Sequence, residues 1–341
     1  MNICRRESSR EFWGPWILAG ESQQTPYNGG MNRFDDVRLD VRKLLEEQDK
    51  KLPPYDPASK SADGLGVTGR LRALARLAWT GALIKVGLHR RLVYANLKLD
   101  WFHEFQDYWV NELGNRPIQP HDFYFLHGVY RQRIQNFAGK ASETTAGDAL
   151  LGAWQDPRII YYLFAWQYKL ALQPLRAHPF TRFIPRGGHV CEYGCGAAPI
   201  ATSLVKFYPH LDFKIACADI PHIVFHFARW KFRSCRFVRM VPIRPDDDAP
   251  LDDRFDTIFC LEVFEHLPRP LDVIRHLDTR LKPGGYLVFD YVRSEGTGLD
   301  TAAGLRDRLE VLRYVADRFR LIRGAIPLDG SHVPTTVLQK V

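Results

Sequence analysis

From residue 188 onward, short apolar runs alternate with stretches whose apolar positions recur every three or four residues. The first kind predicts buried strands and the second predicts amphipathic helices. HVCEY (189–193), FKIACAD (213–219), RFVRMV (236–241), FDTIFCLE (255–262) and GYLVFDYV (285–292) are the five runs of strand character. Helical stretches follow at Pro199 to Phe207, Ile223 to Phe232, Pro270 to Leu281 and Ala303 to Phe319. Such alternation predicts parallel pairing through right-handed crossovers. The ending differs. RLIRGAIPL (320–328) and PTTVLQKV (334–341) are separated by the turn Asp329-Gly330-Ser331, too short for a helix, so these two strands must form an antiparallel hairpin. The expected fold class is α/β: a Rossmann-like, doubly wound sheet of seven strands ending in that hairpin, preceded by a helical N-terminal region.

The front of the chain follows other rules. Residues 1–66 read as a poorly ordered segment with one helical stretch (Asn32 to Lys51) and a Pro/Gly/Ser-rich linker, KLPPYDPASKSADGLG. Residues 67–184 have helical periodicity and many aromatics, and residues 185–341 form the α/β unit, the change falling at Pro185-Arg186-Gly187-Gly188.

Composition narrows the class. The 341 residues are 45% hydrophobic and 25% charged, ordinary for a globular protein. The longest apolar candidate, Leu77 to Leu88, carries Lys85 and falls short of the ~18 residues a membrane span needs. No secretory signal pattern opens the chain, so the expected location is cytoplasmic. The six cysteines include no CxxC pair, which argues for reduced structural thiols. The net charge of +8 is uneven, with 26 Lys+Arg against 19 Asp+Glu in residues 1–186. The stretch 69–91 (GRLRALARLAWTGALIKVGLHRR) sets Arg72 and Arg76 apart from Leu71, Leu74 and Ala78. This is either a solvated basic face or a helix that rests peripherally on an anionic membrane surface.

The chemistry concentrates at the first strand–helix turn, Glu192-Tyr193-Gly194-Cys195-Gly196-Ala197-Ala198-Pro199. Two glycines after a strand let the backbone bend sharply and approach a ligand closely. A dinucleotide fingerprint GxGxxG requires glycine at 199, where this chain has proline, a residue suited to the first helical position. Glu192 adds an anion, unfavourable to a pyrophosphate and favourable to an ammonium group. The expected ligand is therefore an amino-acid nucleoside. Asp219, ending the second strand, is placed either to accept ribose hydroxyls or to cap the next helix. One of Asp246, Asp247 and Asp248 is a candidate acceptor for an adenine amino group, or the three form a solvated loop.

Glu192-x-Gly194-x-Gly196, Asp219, FDTIFCLEVFEHLPRP (255–270) and LKPGGYLVF (281–289) resemble, in order and spacing, the signature regions of class I S-adenosylmethionine-dependent methyltransferases. The likeness covers residues 187–341, terminal hairpin included, and departs at Ala198, where many members have a third glycine. It implies that S-adenosyl-L-methionine is the cofactor. It further implies that Gly194 and Gly196 contact the methionyl moiety, Asp219 the ribose, and Leu261 the cofactor through its backbone; Glu192 and Cys195 of the same turn are further candidate cofactor-binding residues.

Methyl transfer to a hydroxyl needs in-line positioning and a proton acceptor. Glu262, Glu265 and His266 form an ExxEH set beyond the fourth strand. Turned helically, this spacing puts all three on one face. His266 is then a candidate general base. Alternatively the trio holds a divalent cation that acidifies the hydroxyl, as the resemblance to ubiquinone-pathway and small-RNA methyltransferases implies, or His266 only packs at a helix start. Tyr161, Tyr162, Trp166 and Tyr168 are candidate lid aromatics, or helix-packing core. The expected activity is O-methylation of a small-molecule, lipid-linked or glycan acceptor. RNA methylation is the alternative enzyme reading, disfavoured because no RNA-binding module is recognisable. A non-catalytic cofactor-binding scaffold is the alternative outside enzymes.

Overall fold

The computed structural model describes residues 99–115, 117–119, 147–156, 159–244, 247, 249–292 and 300–341, with positions 75, 78, 79, 82, 83 and 85–88. The segment 1–66, Asp246 and Asp248 lie outside them, as does most of the basic stretch 69–91. Among the described residues, α1 (Leu99–Asp107, continued by a π-helical turn Tyr108–Glu112), α2 (Gly147–Trp154) and α3 (Ile160–Leu172) precede the sheet. Then follow β1 (His189–Tyr193), α4 (Pro199–Phe207), β2 (Lys214–Asp219), α5 (Ile223–Phe232), β3 (Val238–Pro242), β4 (Phe255–Cys260), α6 (Pro270–Arg280) and β5 (Leu281–Tyr291). The chain ends with α7 (Ala302–Arg306), α8 (Arg308–Arg318), β6 (Phe319–Arg323) and β7 (Val333–Lys340).

The seven strands form one sheet in the order β3-β2-β1-β4-β5-β7-β6. Strands 1 to 5 pair in parallel, whereas β7 runs antiparallel to both β5 and β6. The expected α/β class and terminal hairpin are both present. The strands read as nearly unbroken apolar runs because each face of a parallel sheet is covered. Along β2, Ile215 and Cys217 enter one core while Ala216 and Ala218 enter the other. Along β5, Leu287 and Phe289 face one side and Val288 the other. The strand order reverses between β1 and β4, and ligands of open α/β sheets settle at such a switch point, beyond the carboxyl ends of the strands.

Some boundaries moved. The expected helix 303–319 is two helices broken at Asp307, and β5 starts at Leu281, four residues before the expected run. Cys191, Cys195, Cys217 and Cys260 are free and buried, but Cys235 is disulfide-bonded, which corrects the expectation of a wholly reduced set. Among the described residues no helix is long and apolar enough to cross a membrane.

The front helices share a core with the α/β unit. Phe105, Tyr108, Trp109 and Phe164 pack with Phe227 and Trp230 of α5. Tyr108 meets Phe227 edge-on at 4.8 Å between ring centroids, and its hydroxyl lies 2.8 Å from His226 Nδ1. Burial lowers the pKa of His226 to about 3, so the ring is neutral and this bond satisfies two buried polar groups together. Tyr108→Phe leaves the His226 nitrogen without this partner and should cost about 1–3 kcal/mol in urea denaturation.

Candidate active-site cleft

The cleft opens at the switch point, with a cavity of about 170 Å³. Its inner end is the turn after β1. Gly194 adopts φ +67°, and a Cβ there would sit 2.3 Å from Val263 Cγ2, so both conformation and space demand glycine. Gly196 is also left-handed, at φ +50°. Ala198 has φ 53°, the left-handed region that glycine favours, and serves as the N-cap of α4. A Cβ in that conformation costs about 1–2 kcal/mol. The position where the family resemblance leads one to expect glycine is thus a glycine-type backbone position.

Glu192 explains how the turn is held. Its two carboxylate oxygens each accept a backbone N–H at 2.9 Å, from Ile200 and from Ala201. With Pro199 at the first helical position, these are two of the amides that the start of a helix leaves without intrahelical partners. The anion also complements the positive end of the helix dipole. Burial pushes the Glu192 pKa up to about 7, against the lowering effect of those two bonds. Lys231 of α5 completes the support: its buried ammonium donates to Ala197 O at 3.1 Å and to Thr202 Oγ1 at 2.6 Å. Burial lowers the lysine pKa, while Glu104 and Glu192 act to raise it. The carboxylate expected beside a ligand's ammonium therefore first serves α4, although Glu192 does line the cleft.

Asp219 is not a helix cap. That role falls to His222, whose Nδ1 accepts the amide of Val224 at 3.3 Å. This bond assigns the ring proton to Nε2, which points to Asp219 Oδ1 at 3.5 Å. Asp219 also accepts the amides of Gly196 (2.6 Å) and Ile220 (2.7 Å), which fixes its carboxylate at the end of β2 on the cleft wall. Cys195 and Leu261 line the cleft too, and so does Asp247 of the acidic triplet.

The ExxEH set does not form a helical face. Glu262 adopts a left-handed φ of 57°, and its amide donates to Asp290 Oδ1 at 2.6 Å. Only after this reversal does a single 3₁₀ turn run from Phe264 to His266. Glu262 and His266 line the cleft, Glu262 facing Arg176 with 3.5 Å between Nη2 and Oε1. Glu265 is 3% exposed, and its Oε2 accepts no hydrogen bond. Burial, and then Asp290, Asp300 and Glu262 nearby, push its pKa up to about 8. A carboxyl of this kind holds its proton at neutral pH. Among the described residues no group of three His, Cys, Asp or Glu side chains is arranged to hold a metal ion. Glu262, Glu265 and His266 as placed do not fit the cation site expected of them.

The outer wall is aromatic. Trp154 stands between His222 (5.1 Å) and His266 (5.5 Å, edge to face), and contacts Tyr162 at 5.8 Å, which in turn meets Trp166 at 5.9 Å. Tyr162 and Trp166 line the cleft while packing partly against the front core, so the lid and core alternatives coincide in them. The side chains of Tyr161 and Tyr168 lie outside the description. Trp154, His222 and Arg176 escaped the sequence reading. No motif marks them; a tryptophan at the end of α2 and an arginine in the turn after α3 become cleft residues only through packing.

A sheet with its glycine bend and a strand-end carboxylate at the switch point, closed by an antiparallel hairpin, defines a Rossmann-like domain. A family profile described as a methyltransferase domain matches residues 166–327. This match, to just under half of the chain, agrees with the resemblance to class I S-adenosylmethionine-dependent methyltransferases. It is 28% identical over 120 residues to a ubiquinone biosynthesis O-methyltransferase of Xanthomonas euvesicatoria pv. vesicatoria, covering 34% of this chain and 48% of that protein. It is 30% identical over 140 residues to a tRNA U34 carboxymethyltransferase of Hahella chejuensis, covering 38% and 43%. The chain thus spans less than half the length of these curated relatives. Among solved structures, a SAM-dependent methyltransferase from Aquifex aeolicus aligns with a TM-score of 0.38 at 19% identity, covering 50% of this chain and 93% of that one.

Two outcomes are expected. Gly194→Ala forces a Cβ into Val263 and should destabilise the fold by about 1–3 kcal/mol in thermal or urea unfolding. For Glu265, the folded protein keeps a proton that the unfolded chain, with an ordinary value of 4.5, has lost. Its contribution to stability therefore declines as pH rises from 4.5 to about 8. Glu265→Gln should leave stability at pH 5 within about 1 kcal/mol of wild type and raise it by at least about 1 kcal/mol at pH 9.

Proposed function

We propose that this chain transfers the methyl group of S-adenosylmethionine to a hydroxyl oxygen of a small-molecule, lipid-linked or glycan acceptor that presents a ring or apolar face to the cleft. The observation that carries the reading is the meeting, in one cleft, of the Gly194–Gly196 bend and Asp219 with His266 and an aromatic wall. When bound, S-adenosylmethionine supplies an electrophilic sulfonium methyl. Asp219, already oriented by three donors, accepts a ribose hydroxyl with the lone pair left on its Oδ2. Gly194 and Gly196 let the backbone come close to the methionyl moiety, and the backbone at Leu261 borders the same space. Arg176, 27% exposed in its side chain on the cleft wall, receives the carboxylate of the amino-acid end.

On the acceptor side, Trp154, Tyr162 and Trp166 offer flat apolar surface and exclude water. His266, 22% exposed in its side chain, takes the hydroxyl proton as the new oxygen–carbon bond forms. Glu265 stays neutral and buried, and so leaves the base uncontested. An RNA acceptor is the second reading. The net charge of +8 and the tRNA-modifying relative favour it.

The test is transfer of tritiated methyl from S-adenosylmethionine into fractionated host extract. Label is expected in the small-molecule, lipid or glycan pools, with a drop of about 100-fold or more for His266→Ala. Label in the nucleic-acid pool overturns the acceptor class. Calorimetric binding without S-adenosylhomocysteine from any pool overturns the enzyme reading in favour of a scaffold. Asp219→Ala should weaken cofactor binding roughly 10- to 100-fold, since hydrogen bonds to a charged group contribute about 1.5–3 kcal/mol.

A further inference from the structure

Asp300 lies beyond β5, far in sequence from the ExxEH set, and no motif draws attention to it. In the fold it is 2% exposed, with Oδ1 3.4 Å from His266 Nδ1, an ion-pair distance that does not meet hydrogen-bond geometry. A carboxylate so deeply buried beside an open cleft is costly unless polar partners hold it. The contact is built into the backbone around it. The amide of Thr301 donates to Glu265 O at 2.9 Å, and Thr301 Oγ1 donates to Leu267 O at 2.6 Å. Thr301 Oγ1 also caps α7 by accepting the amide of Gly304 at 2.9 Å. Gly304 is pressed so closely to the histidine's turn that a Cβ there would lie 2.4 Å from Glu265 O. Tyr291 at the end of β5 donates to the carbonyl of Gly304, tying this bracket to the sheet. The start of α7 thus grips the 264–267 turn on both sides of His266, and Asp300 sits at the end of that grip.

We infer that Asp300 is a positioning residue for His266: it holds the imidazole as the Nδ1–H tautomer and so leaves the Nε2 lone pair as the proton acceptor for the cleft. The inference rests on the methyltransferase reading for its catalytic half; the tautomer stands independently of it. The other groups about the ring agree with the assignment. On its own turn, Glu265 Oε1 is 3.9 Å from Nε2, outside hydrogen-bond range, and that carboxyl is protonated at neutral pH. The edge-to-face Trp154 ring carries no charge and restricts ring rotation. The remaining charged cleft residues near this end, Glu262, Arg269 and Asp272, lie on segments flanking the turn. In the step itself, the acceptor O–H proton passes to Nε2 while oxygen bonds the methyl carbon and the carbon–sulfur bond breaks. The imidazolium that forms carries its charge next to Asp300, as in the general logic of a base oriented by a carboxylate.

The experiment uses the full chain with ¹⁵N-labelled histidine. Long-range ¹H–¹⁵N spectra read the His266 tautomer, assigned by loss of its signals in His266→Ala. Calorimetric titration of S-adenosylmethionine and tritiated-methyl transfer into the responsive extract pool are measured alongside. Asp300→Asn, which can donate to Nδ1, should move the ring to the Nε2–H form and lower transfer about 100-fold or more. Its cofactor affinity should stay within about twofold, because Asp300 does not line the cleft. Asp300→Glu should restore the Nδ1–H signature and part of the transfer. An unchanged tautomer in Asp300→Asn overturns the inference, and so does a changed tautomer with undiminished transfer. If wild type neither binds S-adenosylmethionine nor transfers label, the functional reading fails instead, and the tautomer shift alone still decides the Asp300 contact. A variant that misfolds would lose cofactor heat as well, and Asp300→Glu then carries the comparison through its tautomer signature.

Discussion

The bond between the Glu192 carboxylate and the first free amides of α4 is the constraint on which the cleft depends. It ties the end of the central strand to the start of the following helix, and the glycine bend runs between the two. Lys231 pulls on the same loop from α5 through the carbonyl of Ala197. Two opposite charges buried in one region are expensive, and each is held here by satisfied hydrogen bonds. That arrangement makes the loop a fixed shape into which a ligand fits, with Ala198 kept in a conformation it would not choose alone. Because the Glu192 pKa stands near 7, the strength of the tie varies across the neutral range.

The aromatic helices before the sheet do more than cover it. Phe105, Tyr108 and Phe164 join the core of α5, so the wall that Trp154, Tyr162 and Trp166 present to the cleft is anchored to the helix that follows β2. The glycine-bend end and the aromatic end of the cleft are in this way parts of one packed body. His222 illustrates the coupling: one ring caps α5, faces Asp219 and packs at a tilt against Trp154.

Much of the α/β half was legible in sequence because strand and helix leave different periods in the apolar pattern. The hairpin was legible because three turn residues leave no room for a crossover. Other features were not. The extension of β5 back to Leu281 crosses Lys-Pro-Gly-Gly, which reads as a turn, yet Leu281 pairs with Phe255 across a bulge. The spacing of Glu262, Glu265 and His266 suggested a common face. The backbone reverses at Glu262 instead, which separates the cleft residues Glu262 and His266 from the buried Glu265. A left-handed glutamate gives no local warning, since its conformation is imposed by the amide bond to Asp290 from the neighbouring strand.

The sequence by itself determined the order of elements, the hairpin, the glycine bend and the placement of Asp219 at a strand end, all of which follow from local backbone preference and the period of burial. Only the tertiary structure decided that Glu192 serves a helix terminus, that Arg176 and Trp154 enter the cleft, and that His266 is met by Asp300. Those contacts join residues between 8 and 112 positions apart, and pairing across such distances is set by how the sheet and its helices pack, which no local pattern records.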